Sequence, residues 1–260
     1  MKERNRATGA AAFQSYYSGI YGERWPALAA ALQGPSDSVE FDAGGGRPYR
    51  LDSGSILAAE SLVLPGEGEI LDACAAPGGK SLVLASRMGP SLRLVANELS
   101  SDRRRRLGEA LDASLAPAVR QRVAVAGEDA GAMCRRNAGR FGAVLLDAPC
   151  SSERHVLADA AALAEWSPAR PRQLAMRQWA LLSSAFLMLK SGGCLVYSTC
   201  ALDPAENDGV AARLAAKYGG SLRFDPPRPG RGEPTAYGLL VAPDRDAGAG
   251  PMYVCRVFKA

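Results

Sequence analysis

Histidine is nearly absent: the 260 residues hold one, His155. A triad built on an imidazole base would have to recruit that single side chain, so His-dependent hydrolysis is disfavoured. The six cysteines, at 74, 134, 150, 194, 200 and 255, include no Cys-x-x-Cys pair. Zinc centres need closely spaced thiolates or imidazoles, so no metal is expected. A disulfide framework is equally unexpected in a chain long enough to bury a core without staples. No apolar run is long enough to cross a bilayer, and no membrane partner is expected. The opening MKERNRATGAAAF is basic, but Gln14 and Ser15 interrupt it before a secretory apolar region forms. A cytoplasmic location is expected, with organellar targeting left open. Lysine is scarce as well: it supplies five of the 31 basic residues, against 26 arginines. The net charge of +4 permits an anionic partner without demanding one.

What remains is the profile of a globular protein, 47% hydrophobic and 22% charged. Phe13, Tyr16, Tyr17 and Ile20 recur at helical spacing and predict a helix over residues 11–32. A Gly/Pro/Asp-rich connector over 34–48 and a short helix over 55–64 follow. From there the chain alternates. The apolar runs EILDA, LRLVANE, RVAVAGED, GAVLLDAP and GCLVYSTC are separated by helical patterns over 80–88, 101–111, 130–137 and 173–190. That alternation predicts an α/β fold with a mostly parallel sheet and helices on both faces. A helix over 205–217, a Pro-rich loop over 225–234 and the runs TAYGLLVA and PMYVCRVF complete it, the last two as an antiparallel sheet edge. The expected division is an N-terminal helical extension with its connector, 1–52, and an α/β domain, 53–260.

Asp72, Glu98, Asp129, Asp147 and Cys200 all fall at or just beyond the ends of apolar runs. In open α/β sheets that edge binds ligands. A lone polar residue there is ordinarily a turn or a cap; five together are not. Between the first run and its helix lies Cys74-Ala75-Ala76-Pro77-Gly78-Gly79-Lys80-Ser81. Small residues there let a ligand approach backbone N–H groups at a helix start. Gly79-Lys80-Ser81 mimics the end of a phosphate-binding loop. The first glycine of that motif would be Cys74, however, and Pro77 removes a donor. A P-loop nucleotide-binding protein therefore stays the weaker reading. S-adenosyl-L-methionine, which has no phosphates, suits the turn better, with Glu98 placed for its ribose and Asp129 for its adenine.

Asp147-Ala148-Pro149-Cys150 and Ser198-Thr199-Cys200 bring two thiols to the same edge. Methylation of an exocyclic amine needs no thiol. Carbon 5 of cytosine becomes nucleophilic only after addition at carbon 6, and a thiolate suits that addition.

Cys74 to Lys80, Asp147 to Cys150, and Tyr197-Ser198-Thr199-Cys200 with Pro204, Glu206 and Asn207 resemble three signature motifs of the Nop/Sun RNA (cytosine-5) methyltransferases. Glu98 with Arg103 resembles the family's second motif and Asp129 its third. The resemblance implies a Rossmann-like class I methyltransferase fold. It also implies S-adenosyl-L-methionine as cofactor, held by Cys74, Ala75, Ala76, Pro77, Gly78, Gly79, Lys80, Glu98, Arg103, Asp129 and Asp147. Cys200 would be the nucleophile, Cys150 would help expel the enzyme, and Asp147 would meet the cytosine near ring nitrogen 3, supported by Lys80. The target base would have to leave its stack. Ser151-Ser152-Glu153-Arg154-His155 departs from the usual Ser-Gly stretch. With Tyr21-Gly22 and Trp25-Pro26 it resembles a short ribosomal-RNA branch found in mitochondria, so rRNA is the expected substrate and tRNA the alternative. A non-catalytic RNA-binding scaffold is the rival from outside enzymes. Arg154, His155, Arg170, Arg172 and Arg177 are the candidate RNA contacts, although for His155 a packed or structurally hydrogen-bonded place in the loop is the first expectation. The large family members' RNA-binding domain is not evident, which leaves room for a partner protein that supplies RNA affinity.

Overall fold

The computed structural model describes residues 8–227 and 230–260. Most of the basic opening, through residue 7, and residues 228–229 of the Pro-rich loop lie outside them. Two helices open the fold, α1 (Gly9–Tyr21) and α2 (Trp25–Gln33), where the sequence predicts one. The break is at Gly22, whose φ of 55° caps α1, and Pro26 sits in the first turn of α2, where its missing N–H costs nothing. The connector is not featureless: β1 (Ser38–Phe41) and β2 (Tyr49–Asp52) pair as an antiparallel hairpin. Gly45 at its tip lies so close to the backbone of Leu115 and Ala116 that no Cβ would fit.

The α/β part then runs α3 (Ser53–Glu60), β3 (Gly68–Asp72), α4 (Gly79–Ser86), β4 (Leu92–Asn97), α5 (Ser101–Ser114), α6 (Pro117–Arg120) and β5 (Val123–Ala126). It continues with α7 (Cys134–Asn137), β6 (Phe141–Asp147), α8 (Glu153–Ala158), α9 (Ala160–Glu165), α10 (Ala169–Met188) and β7 (Leu189–Thr199). Last come α11 (Asp208–Tyr218), β8 (Leu222–Phe224), β9 (Glu233–Pro234), β10 (Leu239–Val241) and β11 (Met252–Lys259). The main sheet has the order β5-β4-β3-β6-β7-β11-β10-β9, with β8 beside β11. Strands β3 to β7 are parallel; β11 and β10 close the edge antiparallel, as the late apolar runs predict.

Strand side chains alternate between two cores. Ile70, Leu94, Leu145 and Val196 pack with α3 and α4 on one face; Leu71, Val95, Leu146 and Tyr197 pack with α10 and α11 on the other. Both faces being covered explains the continuous apolar runs. Each fully buried aliphatic side chain contributes about 1.5–3 kcal/mol. A third cluster, built from Phe13, Tyr17, Trp25, Leu28 and Trp166, docks α1 and α2 against Val156, Leu202 and Ala242.

Two predicted helices start later than expected. Asp129 and Gly131 form a turn, and the helix expected over 130–137 shrinks to α7. The helix expected over 205–217 begins at Asp208. Before it, Asp203 and Asn207 direct their side chains to loop backbone, and Asn207 has a non-helical backbone.

Candidate active site

The sheet winds outward from β3 to β5, then crosses back to place β6 on the other side of β3. A crevice opens at such a switch point, beyond the strand C-termini. The turn after β3 and the loops after β6 and β7 meet there.

Gly78, with φ of 123°, ends the turn and starts α4; a side chain there would be strained and would also press on Ala110 and Leu107. Cys74, Ala75, Ala76, Pro77, Gly79 and Lys80 line a cavity of about 150 Å³ with Asp72, Asp147, Tyr49 and Ser55. Asp72 is fully buried. Its Oδ2 accepts from Ser81 (2.6 Å), while Oδ1 has no partner. Burial pushes its carboxyl up to about 7, against the opposing hydrogen bond from Ser81. Burial likewise lifts the Cys74 thiol to about 12.

On the other side of Cys74 a cleft is lined by Glu98, Arg103, Asp129 and Arg177. Glu98 is buried, accepts from Ser100 N–H (2.9 Å) and lies 3.4 Å from Arg103, which also donates to the Ala76 carbonyl (2.9 Å). Asp129 is exposed and accepts from Gly131 N–H. Asn97 joins the loops: its amide donates to the carbonyls of Ala73 and Glu128 and accepts from Glu128 N–H. The sequence offers no signal for Asn97, because an amide at a strand end is common in turns.

Lys80, from α4, reaches Asp147 at 2.9 Å and donates to Ser55 at 3.1 Å. Burial draws its pKa down, but the Asp147 carboxylate outweighs this and the net direction is up. Ser198 donates to the other Asp147 oxygen (3.0 Å). Cys150 and Cys200 stand with their sulfurs 3.1 Å apart, and the Ser152 hydroxyl lies 3.0 Å from Cys200. The hydrogen bond from Cys150 lowers the Cys200 pKa, helped by Ser152 and Lys80 against burial and Asp147. The same bond, with burial, raises Cys150.

The two thiol loops brace one another through buried carboxylates. Glu206, beyond Cys200, accepts from the Ser151 backbone N–H (3.0 Å), the Ser151 hydroxyl and Gln178 (2.7 Å). Glu153, beyond Cys150, accepts from Leu202 N–H (3.0 Å) and from the Tyr17 hydroxyl (2.6 Å). Burial lifts Glu206 to about 7 and Glu153 to about 8. From the same face of α1, Tyr16 donates to Asp203 (2.8 Å) and Tyr21 to the Leu202 carbonyl (2.7 Å). Glu153 is visible in the sequence only as a departure from the usual loop, and its distant partner Tyr17 only as a core aromatic.

The candidate RNA contacts separate. Arg154 is not free to meet phosphates as expected: its guanidinium donates to the carbonyls of Leu32, Gly34, Gly248 and Gly250, tying three segments together. A five-donor planar fork suits that task, and the loop's helix α8 turns it inward. His155 is exposed rather than packed, and lines a 420 Å³ cavity with Cys200, Ser152, Asp52, Arg154 and Met252. Arg170 and Arg172 are exposed in the first turn of α10. Arg177 is exposed but borders the Glu98 cleft, away from the cavity at Cys200. Among the described residues no group of three or more His, Cys, Asp or Glu forms a metal site, and no helix is long and apolar enough to cross a membrane.

Compared with known proteins, residues 60–219 match the family described as 16S rRNA methyltransferase RsmB/F. The chain is 42% identical over 159 residues to ribosomal RNA small subunit methyltransferase F of Aeromonas hydrophila, covering 61% of this chain and 33% of that protein. The chain thus spans about a third of the length of the curated relatives it matches. Two solved structures share the fold. A methyltransferase homolog protein from Pyrococcus horikoshii has a TM-score of 0.76 at 21% identity, over 96% of this chain and 95% of that one. NSun6 from the same organism, solved with SFG, has a TM-score of 0.69 at 23% identity, over 82% and 53%. The matched stretch runs through the turn after β3, both thiols and every parallel strand of the sheet, and the chain belongs to the 16S rRNA methyltransferase RsmB/F family.

Proposed function

We propose that the protein transfers a methyl group from S-adenosyl-L-methionine to carbon 5 of a cytosine in ribosomal RNA, through a covalent bond between Cys200 and ring carbon 6. The observation that carries the reading is the pair of touching thiols at the switch point, with Cys200 the more acidic.

The residues present fit the cofactor. Asp72 presents a buried, unpartnered oxygen beside the small-residue turn, a place for the ammonium of an amino-acid tail. Glu98 and Asp129 flank the cleft beyond Cys74, where a nucleoside would lie. The relative solved with SFG, an analogue of this cofactor, adds support. When bound, the cofactor supplies an electrophilic methyl group.

Cys200, as thiolate, adds to carbon 6 and makes carbon 5 nucleophilic. Asp147, fixed by Lys80 and Ser198, faces the base edge near ring nitrogen 3 and shares a proton there as negative charge builds. After transfer, Cys150, 3.1 Å from Cys200, takes the carbon 5 proton as thiolate; the electron pair left behind re-forms the carbon 5–carbon 6 double bond and expels the Cys200 thiolate. Residues 53–260 carry the chemistry in this reading, and residues 1–52 brace it through the tyrosines of α1. Arg170 and Arg172 are the remaining candidates for phosphates, with Arg177 beside the cofactor cleft, and His155 for the target strand. Affinity beyond these comes from a partner protein. The location proposed is the cytoplasm, where ribosomal RNA is met.

The phosphate-loop reading has little support: Lys80 is tied to Asp147 and Ser55 instead of reaching into the turn. Titration calorimetry separates the two, with heat expected from S-adenosyl-L-methionine and none from ATP. With RNA, Cys200→Ala is expected to lose transfer, and Cys150→Ala to leave an RNA–protein adduct on a denaturing gel. An adduct that survives Cys200→Ala reverses the thiol roles. Bisulfite sequencing of rRNA and tRNA from a deletion strain identifies the substrate.

A further inference from the structure

Ser152 is one of two non-glycine residues with positive φ among the described residues, at 53° and ψ 61°. A side chain held in the left-handed region costs free energy, and such residues gather at functional sites. The loop leaves Ser152 little choice. Ser151 before it is anchored to Glu206, and Glu153 after it is anchored to Tyr17 and Leu202. Between those anchors the hydroxyl falls 3.0 Å from the Cys200 sulfur and 3.5 Å from the Cys150 sulfur, at the wall of the 420 Å³ cavity.

We propose that Ser152 is a further catalytic residue, whose hydroxyl donates to the Cys200 sulfur, stabilises it as thiolate and holds it toward the cavity. This rests on the function proposed above. The hydroxyl keeps its own proton throughout, and no bond is made or broken at Ser152. A hydrogen bond to an ionised acceptor is stronger than one to the neutral thiol, so the contact favours the thiolate. The direction found for Cys200 agrees. Its other titratable neighbours are Cys150 across the thiol contact, Asp147 from β6 and Lys80 from α4, with Asp52, Arg154 and His155 around the cavity. Of these, Cys150 also touches Ser152, at 3.5 Å, so its alkylation is followed alongside that of Cys200.

The test is the pH profile of Cys200 alkylation by iodoacetamide, read peptide by peptide by mass spectrometry, in wild type, Ser152→Ala and Ser152→Gly. Ser152→Ala removes the hydroxyl and keeps the strain; Ser152→Gly removes both and is expected to unfold no earlier than wild type. Both profiles are expected to move up by about one pH unit, which is about tenfold slower alkylation below the pKa. With RNA and cofactor, kcat is expected to fall about tenfold at unchanged KM for either. An unshifted profile in either variant overturns the assignment, as does a shift in Ser152→Ala that Ser152→Gly abolishes. The alkylation arm needs neither RNA nor cofactor. If wild type transfers no methyl group while the profiles shift, the proposed function fails and the role of Ser152 on the thiol stands.

Discussion

Replacing Tyr17 with Phe tests whether the N-terminal helix holds the loop after Cys150 through charge or merely through packing. The ring stays in the cluster with Phe13, Trp25 and Trp166; only the hydroxyl on Glu153 is lost. Glu153 is fully buried, and its carboxyl sits near pH 8 in the fold, raised first by burial and then by Glu206. At pH 6 it is therefore neutral, and the lost hydrogen bond costs about 1 kcal/mol. At pH 9 it is ionised. Leaving a buried carboxylate with one donor fewer then costs about 2–3 kcal/mol. Tyr17 itself stays protonated at both values, since burial and Glu153 hold it well above its ordinary pKa. The difference predicts that the variant's Glu153 titrates about one unit higher still. Urea unfolding of both proteins at pH 6 and pH 9 measures this, because every other titrating group cancels in the comparison. In melting temperature the pH 9 loss is about 4–12 °C. A destabilisation equal at the two pH values, or smaller at pH 9, refutes the reasoning.

Asp72→Asn probes a second buried carboxyl. Asp72 keeps its proton up to about pH 7 in the fold but loses it near 4 when unfolded, so its contribution to stability is complete below pH 4 and is lost as pH rises through 7. The asparagine variant is expected to show a flatter loss of stability between pH 5 and 8, and weaker cofactor binding by calorimetry. Arg154→Lys is expected to cost about 1–3 kcal/mol in urea unfolding, because an ammonium cannot serve four carbonyls from two separate segments. Gly78→Ala places a Cβ at φ 123° and 3.2 Å from Ala110; a loss of about 1–3 kcal/mol is expected, with at least tenfold weaker cofactor binding. Wild-type cofactor affinity in that variant overturns the role given to the turn.

The parallel sheet was legible because strands buried on both faces read as unbroken apolar runs, and EILDA through GCLVYSTC align with β3 to β7. The hairpin β1–β2 was hidden because its strands are four residues each, mostly half-buried or exposed, and set in glycine-rich sequence. That Lys80, Asp147, Cys150 and Cys200 meet was legible because each stands in a short motif at one edge of the sheet. Tyr17, Glu153 and Asn97 were not: each acts through a partner remote in sequence, and a core tyrosine looks the same whether or not its hydroxyl is engaged. Arg154 shows the converse limit. Its charge suggested a phosphate, while its planar fork is used on backbone carbonyls.

The grip of α1 on the loops beyond Cys150 and Cys200 has a kinetic consequence. Tyr16–Asp203, Tyr17–Glu153 and Tyr21–Leu202 join residues 187, 136 and 181 positions apart. Contacts of such span form only after the chain between them has been ordered, since closing the loop first would cost entropy that nothing yet repays. The sheet can therefore assemble before the Cys150 and Cys200 loops are aligned. Refolding followed by secondary structure should run ahead of refolding followed by Cys200 reactivity, so that the competent site is the last part of the fold to appear.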